Sequence, residues 1–143
     1  MSDAAGIVFL VGRVLFVMFF LISGLGFHVA KSGQAEGYAR QMGFPLPAIA
    51  GWPTGIWMSV GALSVALGIW PDIGALMLCA FVIVAALYFH RFWTLEDESQ
   101  KQTQQQLFFR NMIVLGGGLS LFAFFASVGP GLRFSITEPL ITF

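Results

Sequence analysis

Four long apolar runs constrain this chain more than any other feature of its sequence. They extend from Ala5 to about Phe27, from about Pro53 to Trp70, from Ile73 to about Trp93, and from about Leu107 to Val128. About 20 predominantly apolar residues are needed to cross the hydrocarbon core of a bilayer as a helix. Hydrocarbon offers backbone N–H and C=O groups no partner, so each run must satisfy its own backbone, as a helix does and a lone strand does not. The expected fold is all-α, an integral membrane four-helix bundle in up-down-up-down order, with one membrane domain over residues 1–143. Composition points the same way. The chain is 57% hydrophobic and 10% charged, where a soluble domain carries about 25% charge. The mean hydropathy is +0.83.

The remaining composition excludes several function classes. The single cysteine, Cys79, lies inside an apolar run. One cysteine makes no internal disulfide, CxxC pair or cysteine metal cage, and the bland reading is a small buried or lipid-facing residue. A formal net charge of zero without a basic cluster argues against nucleic acid as a partner. The N-terminal MSDAAG has Asp3 and no Lys or Arg, so the first run reads as a retained helix rather than a cleaved signal.

The links between runs differ in kind. Pro71-Asp72 is a very short turn, so the second and third runs form an antiparallel hairpin. The loop from His28 to Trp52 is longer. Its GQAEGYARQM segment places Glu36 and Arg40 four apart, where they could pair on a short surface helix. Pro45 and Pro47 stiffen the return. The polar link TLEDESQKQTQ is expected to start the fourth helix before the bilayer. Gly129, Pro130 and Gly131 stop that helix. Four helices put both termini and the Pro71-Asp72 turn on one side and the two long loops on the other. The long-loop side carries Lys31, Arg40, Arg91, Lys101 and Arg110, against Arg133 and Arg13 on the other. Five against two predicts cytoplasmic long loops and outward termini, in the inner (plasma) membrane.

The informative residues are the polar ones in this apolar frame. Arg13 lies about 12 Å below its helix end, at 1.5 Å per residue. A central arginine costs roughly 2.5–3.5 kcal/mol to insert. It should therefore snorkel, pair or bind something, and Asp3, Asp72 and Glu138 are the acids on its side. His28 and His90 are expected at matching depth on the long-loop side. Two histidines alone specify no haem or metal site, and no metal is assigned. His90 and Trp93, three apart, are expected to share a helix face. With Tyr88, Arg91, Arg110 and Asn111 they form a cationic and aromatic cluster at one membrane face. That cluster reads either as anchoring and lipid-phosphate contact or as a headgroup pocket. A quinone needs an apolar slot, hydrogen-bond donors and aromatic walls, and these residues supply such parts. The expectation is that His28, His90, Trp93, Arg110 and Asn111 converge, with Asn111 inward on His90 or a backbone carbonyl and Arg110 nearer the headgroups. Gly116, Gly117 and Gly118, Gly24 and Gly26, and Gly61 with Ala62 and Ala66 suit close helix packing. No G-x-S-x-G, HExxH, Walker loop or acid pair within a span appears, so no catalytic residue is assigned.

The chain resembles the DoxX family of small four-helix membrane proteins. The resemblance rests on GRVLFVMFFLISGLG, GYARQMGFPLP, FHRFW and FFRNMIVLGGGL, in that order along most of the chain. It implies a four-helix bundle. Some relatives are subunits of thiosulfate:quinone oxidoreductases, and one is linked to a membrane complex handling thiol and oxidative stress. The implied role is a quinone-interacting or redox-associated subunit whose protein partner carries the catalytic centre, with no covalently bound cofactor. The alternative is a non-catalytic structural or assembly subunit of a larger membrane complex. Relatives often carry Glu near the position of Met58, and Lys or His directly after the first-helix glycines, where this chain has Phe27 and then His28. The lost carboxylate argues against proton-coupled redox chemistry within this chain. Arg13, His90, Trp93, Arg110 and Asn111 match the family pattern. The candidate ligand or headgroup pocket is therefore Arg13, His28, His90, Trp93, Arg110 and Asn111.

Overall fold

A computed structural model describes residues 1–143. It is all-helical, with no strand. Helix α1 spans Asp3–Ser23 and runs on into a π-helical segment, Gly24–Val29. Helix α2 is Ser32–Gln41, α3 is Trp52–Leu67, α4 is Pro71–Phe89 and α5 is Glu98–Val128. Single 3₁₀ turns occupy Pro47–Ala50, Phe92–Thr94 and Gly129–Gly131. Three stretches are long and apolar enough to cross a membrane, built on α1, α4 and α5, and α3 is a shorter apolar helix.

Local chemistry sets these ends. Ser2 caps α1 by accepting from the Ala5 N–H at 3.3 Å, and Asp97 caps α5 by accepting from the Gln100 N–H at 2.8 Å. The polar link is therefore helical from Glu98 onward, so α5 begins well before the apolar run. Helix α3 ends at Leu67, three residues short of the expected Trp70, because Gly68 turns left-handed at φ 68°. The link that follows is Gly68–Trp70, and Pro71-Asp72, expected to be the turn, is already the first turn of α4. Proline at that position forfeits no helical bond. Helix α4 stops at Phe89 rather than near Trp93, and the chain then folds back through its 3₁₀ turn.

The element ends meet at two poles. At one, the start of α1, the α3–α4 link, the end of α5 and the C-terminal tail touch. The tail donates from Ile136 and Thr137 to Gly68 and from Phe143 to Ala126. At the other, α2 lies across the end of α4, with the Tyr38 and Phe89 rings stacked at 5.5 Å and Arg91 donating to the Met42 carbonyl. This arrangement is compatible with up-down-up-down order. On α2, Glu36 is bonded to Ser32 at 3.2 Å, and it makes no ion pair with Arg40.

Between the poles, Val17 and Phe20 of α1, Met58, Ala62 and Val65 of α3, Ala75, Leu78 and Val82 of α4, and Phe125 of α5 form one buried core. Small residues bring the backbones together. A Cβ on Gly55 would stand 2.6 Å from the Gly24 carbonyl oxygen, and one on Gly61 would stand 3.2 Å from that of Gly74. Gly118 faces Cys79, where a Cβ would approach the sulfur to 2.6 Å, so the lone cysteine is a packing residue. Gly116 and Gly26 face open space instead. Val8, Leu15, Phe19, Ile22 and Ile113 point outward, as lipid-facing side chains do.

Gly55→Val should lower stability by about 1–3 kcal/mol, because the added atoms meet the Gly24 carbonyl oxygen, which cannot rotate aside, as well as the Val29 side chain. Gly12→Ala, with nothing within 4 Å, should leave stability unchanged or slightly raised. Thermal unfolding in detergent compares the two.

Candidate functional site

The expected cluster is distributed along the long-loop pole rather than gathered in one cavity. His28, at the end of the π-helical segment, donates from Nδ1 to the Ala50 carbonyl oxygen at 2.6 Å, and its ring packs edge-on against Phe81 at 5.9 Å. Phe81 precedes His90 by nine residues, or about 13 Å along a helix. The two histidines therefore lie at different depths, not matching ones. Helix α4 projects past the end of α1, and α2 fills the step. His90 bonds through Nδ1 to Gln104 Oε1 at 2.9 Å. Its expected shared face with Trp93 does not exist, because α4 ends before His90 and the next three residues turn away as a 3₁₀ segment. Trp93 is 50% exposed and packs on Phe92 and Phe108.

Asn111 is half-buried and donates to the Leu107 carbonyl of its own helix at 2.9 Å. Of the two partners expected for it, the backbone carbonyl is occupied and His90 is not. Arg110 is exposed beside Gln102, Gln106 and Phe109 in a shallow polar groove. His28, His90 and Asn111 each have a separate hydrogen-bond partner, Trp93 packs on phenylalanine rings, and Arg110 makes no hydrogen bond within the chain.

Arg13 stands apart from this group. It precedes His28 by fifteen residues, about 22 Å along the helix. It does not snorkel. It is 1% exposed and turned into the bundle, one turn from Val17, where its Nη2 donates to the Phe134 carbonyl of the C-terminal tail. None of the three expected acids pairs with it. Asp3 takes Arg133 at the surface, and Glu138 is exposed. Asp72 is 0% exposed, and its Oδ2 accepts from the Leu140 and Ile141 N–H groups at 3.0 and 2.8 Å.

The tail makes a circuit over this pole. It leaves α5 and passes α1 at Gly6 and Arg13. It then crosses the α3–α4 link, where Trp70 N–H donates to Thr137 Oγ1 at 2.8 Å. It passes the start of α4 at Asp72 and returns to α5 at Ala126. Beneath it three buried polar atoms have no partner: Arg13 Nε, Arg13 Nη1 and Asp72 Oδ1. An unpaired buried donor or acceptor costs about 1–3 kcal/mol, more when charged. Structures retain such atoms where function requires them or where water or a ligand supplies the bond. Next to this pole an apolar groove of about 720 Å³ opens between α1 and α5, lined by Ala5, Val8, Phe9, Phe124 and Val128 among others. Phe9 lies one turn from Arg13 on α1, with its ring 4.4 Å from that of Phe124.

The C-terminal tail touches Arg13, expected in the candidate pocket, and Asp72, expected as a possible partner of Arg13. Asp72 was visible only as a turn residue and a possible ion-pair partner. Its signal was being the one charge between two apolar runs.

The family model DoxX matches residues 8–91, more than half of the chain, and the chain belongs to the DoxX family. The matched stretch includes Arg13, His28, Asp72 and His90 and ends before Trp93, Arg110 and Asn111. Neither a curated protein nor a solved structure matches the chain.

Asn111→Leu should change stability by no more than about 0.5 kcal/mol, because the bond lost is local to α5 and the carbonyl keeps its helical partner. His28→Phe should cost about 1–3 kcal/mol, because it leaves the Ala50 carbonyl without its histidine donor. Thermal midpoints in detergent distinguish the two; equal losses would show that the two polar contacts matter alike.

Proposed function

We propose that this DoxX-family protein is a membrane subunit of a quinone-linked redox assembly in which a partner chain carries the catalytic centre. One observation supports the subunit reading above others. Helix α5 presents Gly116, Ser120, Ala123 and Ser127 outward, at intervals of about one turn. The two serine hydroxyls are turned back onto their own helix, to the Gly116 and Ala123 carbonyls at 2.9 and 2.7 Å. The face is therefore flat and internally satisfied. Small flat faces let a second transmembrane helix approach closely, and packing rather than hydrophobicity drives association in lipid. Quinone is the ligand proposed for the assembly. A non-catalytic assembly subunit uses the same face, and copurifying quinone separates the two readings.

Ser120→Leu together with Ala123→Leu should strip partner chains from the protein purified in mild detergent while leaving its own thermal midpoint within a few degrees. Retained partners would remove α5 as the docking face.

The orientation proposed is long loops in the cytoplasm and termini outside, in the inner (plasma) membrane, on the Lys/Arg bias. With Cys79 replaced by Ala, a membrane-impermeant thiol reagent applied to intact cells should label Glu138→Cys and spare Ser99→Cys. The reverse pattern would invert the orientation.

A further inference from the structure

A polar cavity of about 330 Å³ lies at the long-loop pole, where α2, the chain that follows α4 and the first turns of α5 meet. A compact space of that volume is about 9 Å across, so groups on its walls reach one small ligand. Arg91 is its one charged lining residue. The Arg91 Nη2 donates to the Met42 carbonyl, which also lines the cavity and so holds the guanidinium on its wall. No carboxylate pairs with Arg91. The acids that follow it are engaged elsewhere, Asp97 in capping α5 and Glu98 with Lys101 at 3.8 Å. Gln104 accepts from His90 through Oε1 at 2.9 Å, so its NH₂ is the group left to donate. The Gln41 and Gln100 amides and the Tyr38 hydroxyl complete the polar wall, and Leu95 gives it an apolar side. Gln104 stands three residues before the apolar run that begins near Leu107, about 4.5 Å at 1.5 Å per residue. The headgroup layer is about 5–8 Å deep on each side of the hydrocarbon. The cavity is therefore at headgroup depth.

We propose that this cavity binds a phosphodiester monoanion with a hydroxylated head, the chemistry of a phosphatidylglycerol headgroup. Arg91 meets the charge, and the neutral donors around it meet the remaining phosphate oxygens. A guanidinium pairs readily with phosphate, often through two parallel bonds, and one positive charge is balanced by one negative charge. The far end of the headgroup is chosen by what the wall lacks. With no carboxylate in the lining, an ammonium head would give up hydration without gaining a partner. Hydroxyl groups find the glutamine amides instead, which both donate and accept. The site owes nothing to the quinone reading and would serve a subunit of either kind.

Native mass spectrometry of the delipidated full chain tests this, with phosphatidylglycerol and phosphatidylethanolamine offered in equal amounts. The wild type should retain phosphatidylglycerol in preference. Arg91→Gln should lower its occupancy about fivefold or more, as loss of a charge-assisted contact does. Lys31→Gln removes an exposed cation at the same pole that does not line the cavity, and should leave occupancy unchanged. An equal loss in both variants would reduce the effect to a general basic rim and overturn the site. Should Arg91→Gln fail to fold, Gln41→Leu decides, because Gln41 is exposed and makes no hydrogen bond within the chain. It should lower phosphatidylglycerol occupancy without moving the thermal midpoint, and unchanged occupancy would overturn the site. Glycerophosphoglycerol, titrated calorimetrically, distinguishes the source of the headgroup. Binding by the wild type that Arg91→Gln abolishes would show that the site accepts a water-soluble phosphodiester, and retention of the lipid alone would assign it to the membrane. A wild type that holds neither, or that holds phosphatidylethanolamine equally well, would overturn the proposal.

Discussion

In hydrocarbon a backbone N–H or C=O can find its partner only within the protein, and the structure is arranged around that restriction. The stretches between the poles are helical. The one irregular turn inside a span, the π-helical segment at Gly24–Val29, still closes its bonds, with the Ala30 N–H donating to the Leu25 carbonyl at 2.9 Å. Side-chain polar groups at depth follow the same restriction. Ser59, Ser120 and Ser127 each donate to a carbonyl four residues earlier, and Trp57 donates to the Met77 carbonyl on the neighbouring helix at 2.8 Å. With polar demand met locally, helix packing is left to shape, and the glycines at positions 24, 55, 61, 74 and 118 set how closely the axes approach.

Arg13 is where local supply falls short. A guanidinium carries five N–H donors and cannot be neutralised at any accessible pH. Its own helix has no free carbonyls, since each accepts from the residue four ahead. The tail supplies one from Phe134. Asp72 is better provided for. It sits in the first turn of α4, where the helix dipole favours negative charge by about 0.3–1 kcal/mol or somewhat more when buried. Two tail N–H groups meet its Oδ2. The tail and the two charges stabilise one another, and the pole still holds more donors and acceptors than it uses.

The sequence made the class legible because apolar run length is a physical requirement of the bilayer. The short helix in the first loop and the early start of α5 were legible for similar reasons, from spacing and from the polar segment ahead of the apolar run. Facing was not legible. Around Arg13 the run is apolar on every side, so periodicity gave no sign that Phe9, Arg13, Val17 and Phe20 form the inward stripe. The end of α4 was hidden because FHRFW is as apolar and aromatic as the helix before it, which made His90 and Trp93 look like neighbours on one face. The tail was hidden for a different reason. Its apolar residues are too few to span, and their partners at Gly68, Asp72 and Ala126 are distant in sequence.

Helix lengths explain why the opposite pole came out as a set of separate contacts. Helix α5 has 31 residues, about 46 Å at 1.5 Å each, against about 30 Å of hydrocarbon. Its polar first turns must stand outside the membrane. Helix α3 has 16 residues, about 24 Å, and falls short. The chain entering α3 therefore brings irregular backbone, the 3₁₀ turn at Pro47–Ala50, to the edge of the hydrocarbon. Such backbone is tolerated there only where protein covers it and meets its polar groups. His28 does so, donating to the Ala50 carbonyl from between Phe27 and Phe81. Ser32 does so as well, accepting from the Trp52 N–H at 3.0 Å. Gly51 has no room for a Cβ beside Ser32 and Glu36. His28 and Ser32 thus answer a length mismatch between two helices, whereas Arg13 and Asp72 answer no such mismatch and hold the C-terminal tail against the other pole.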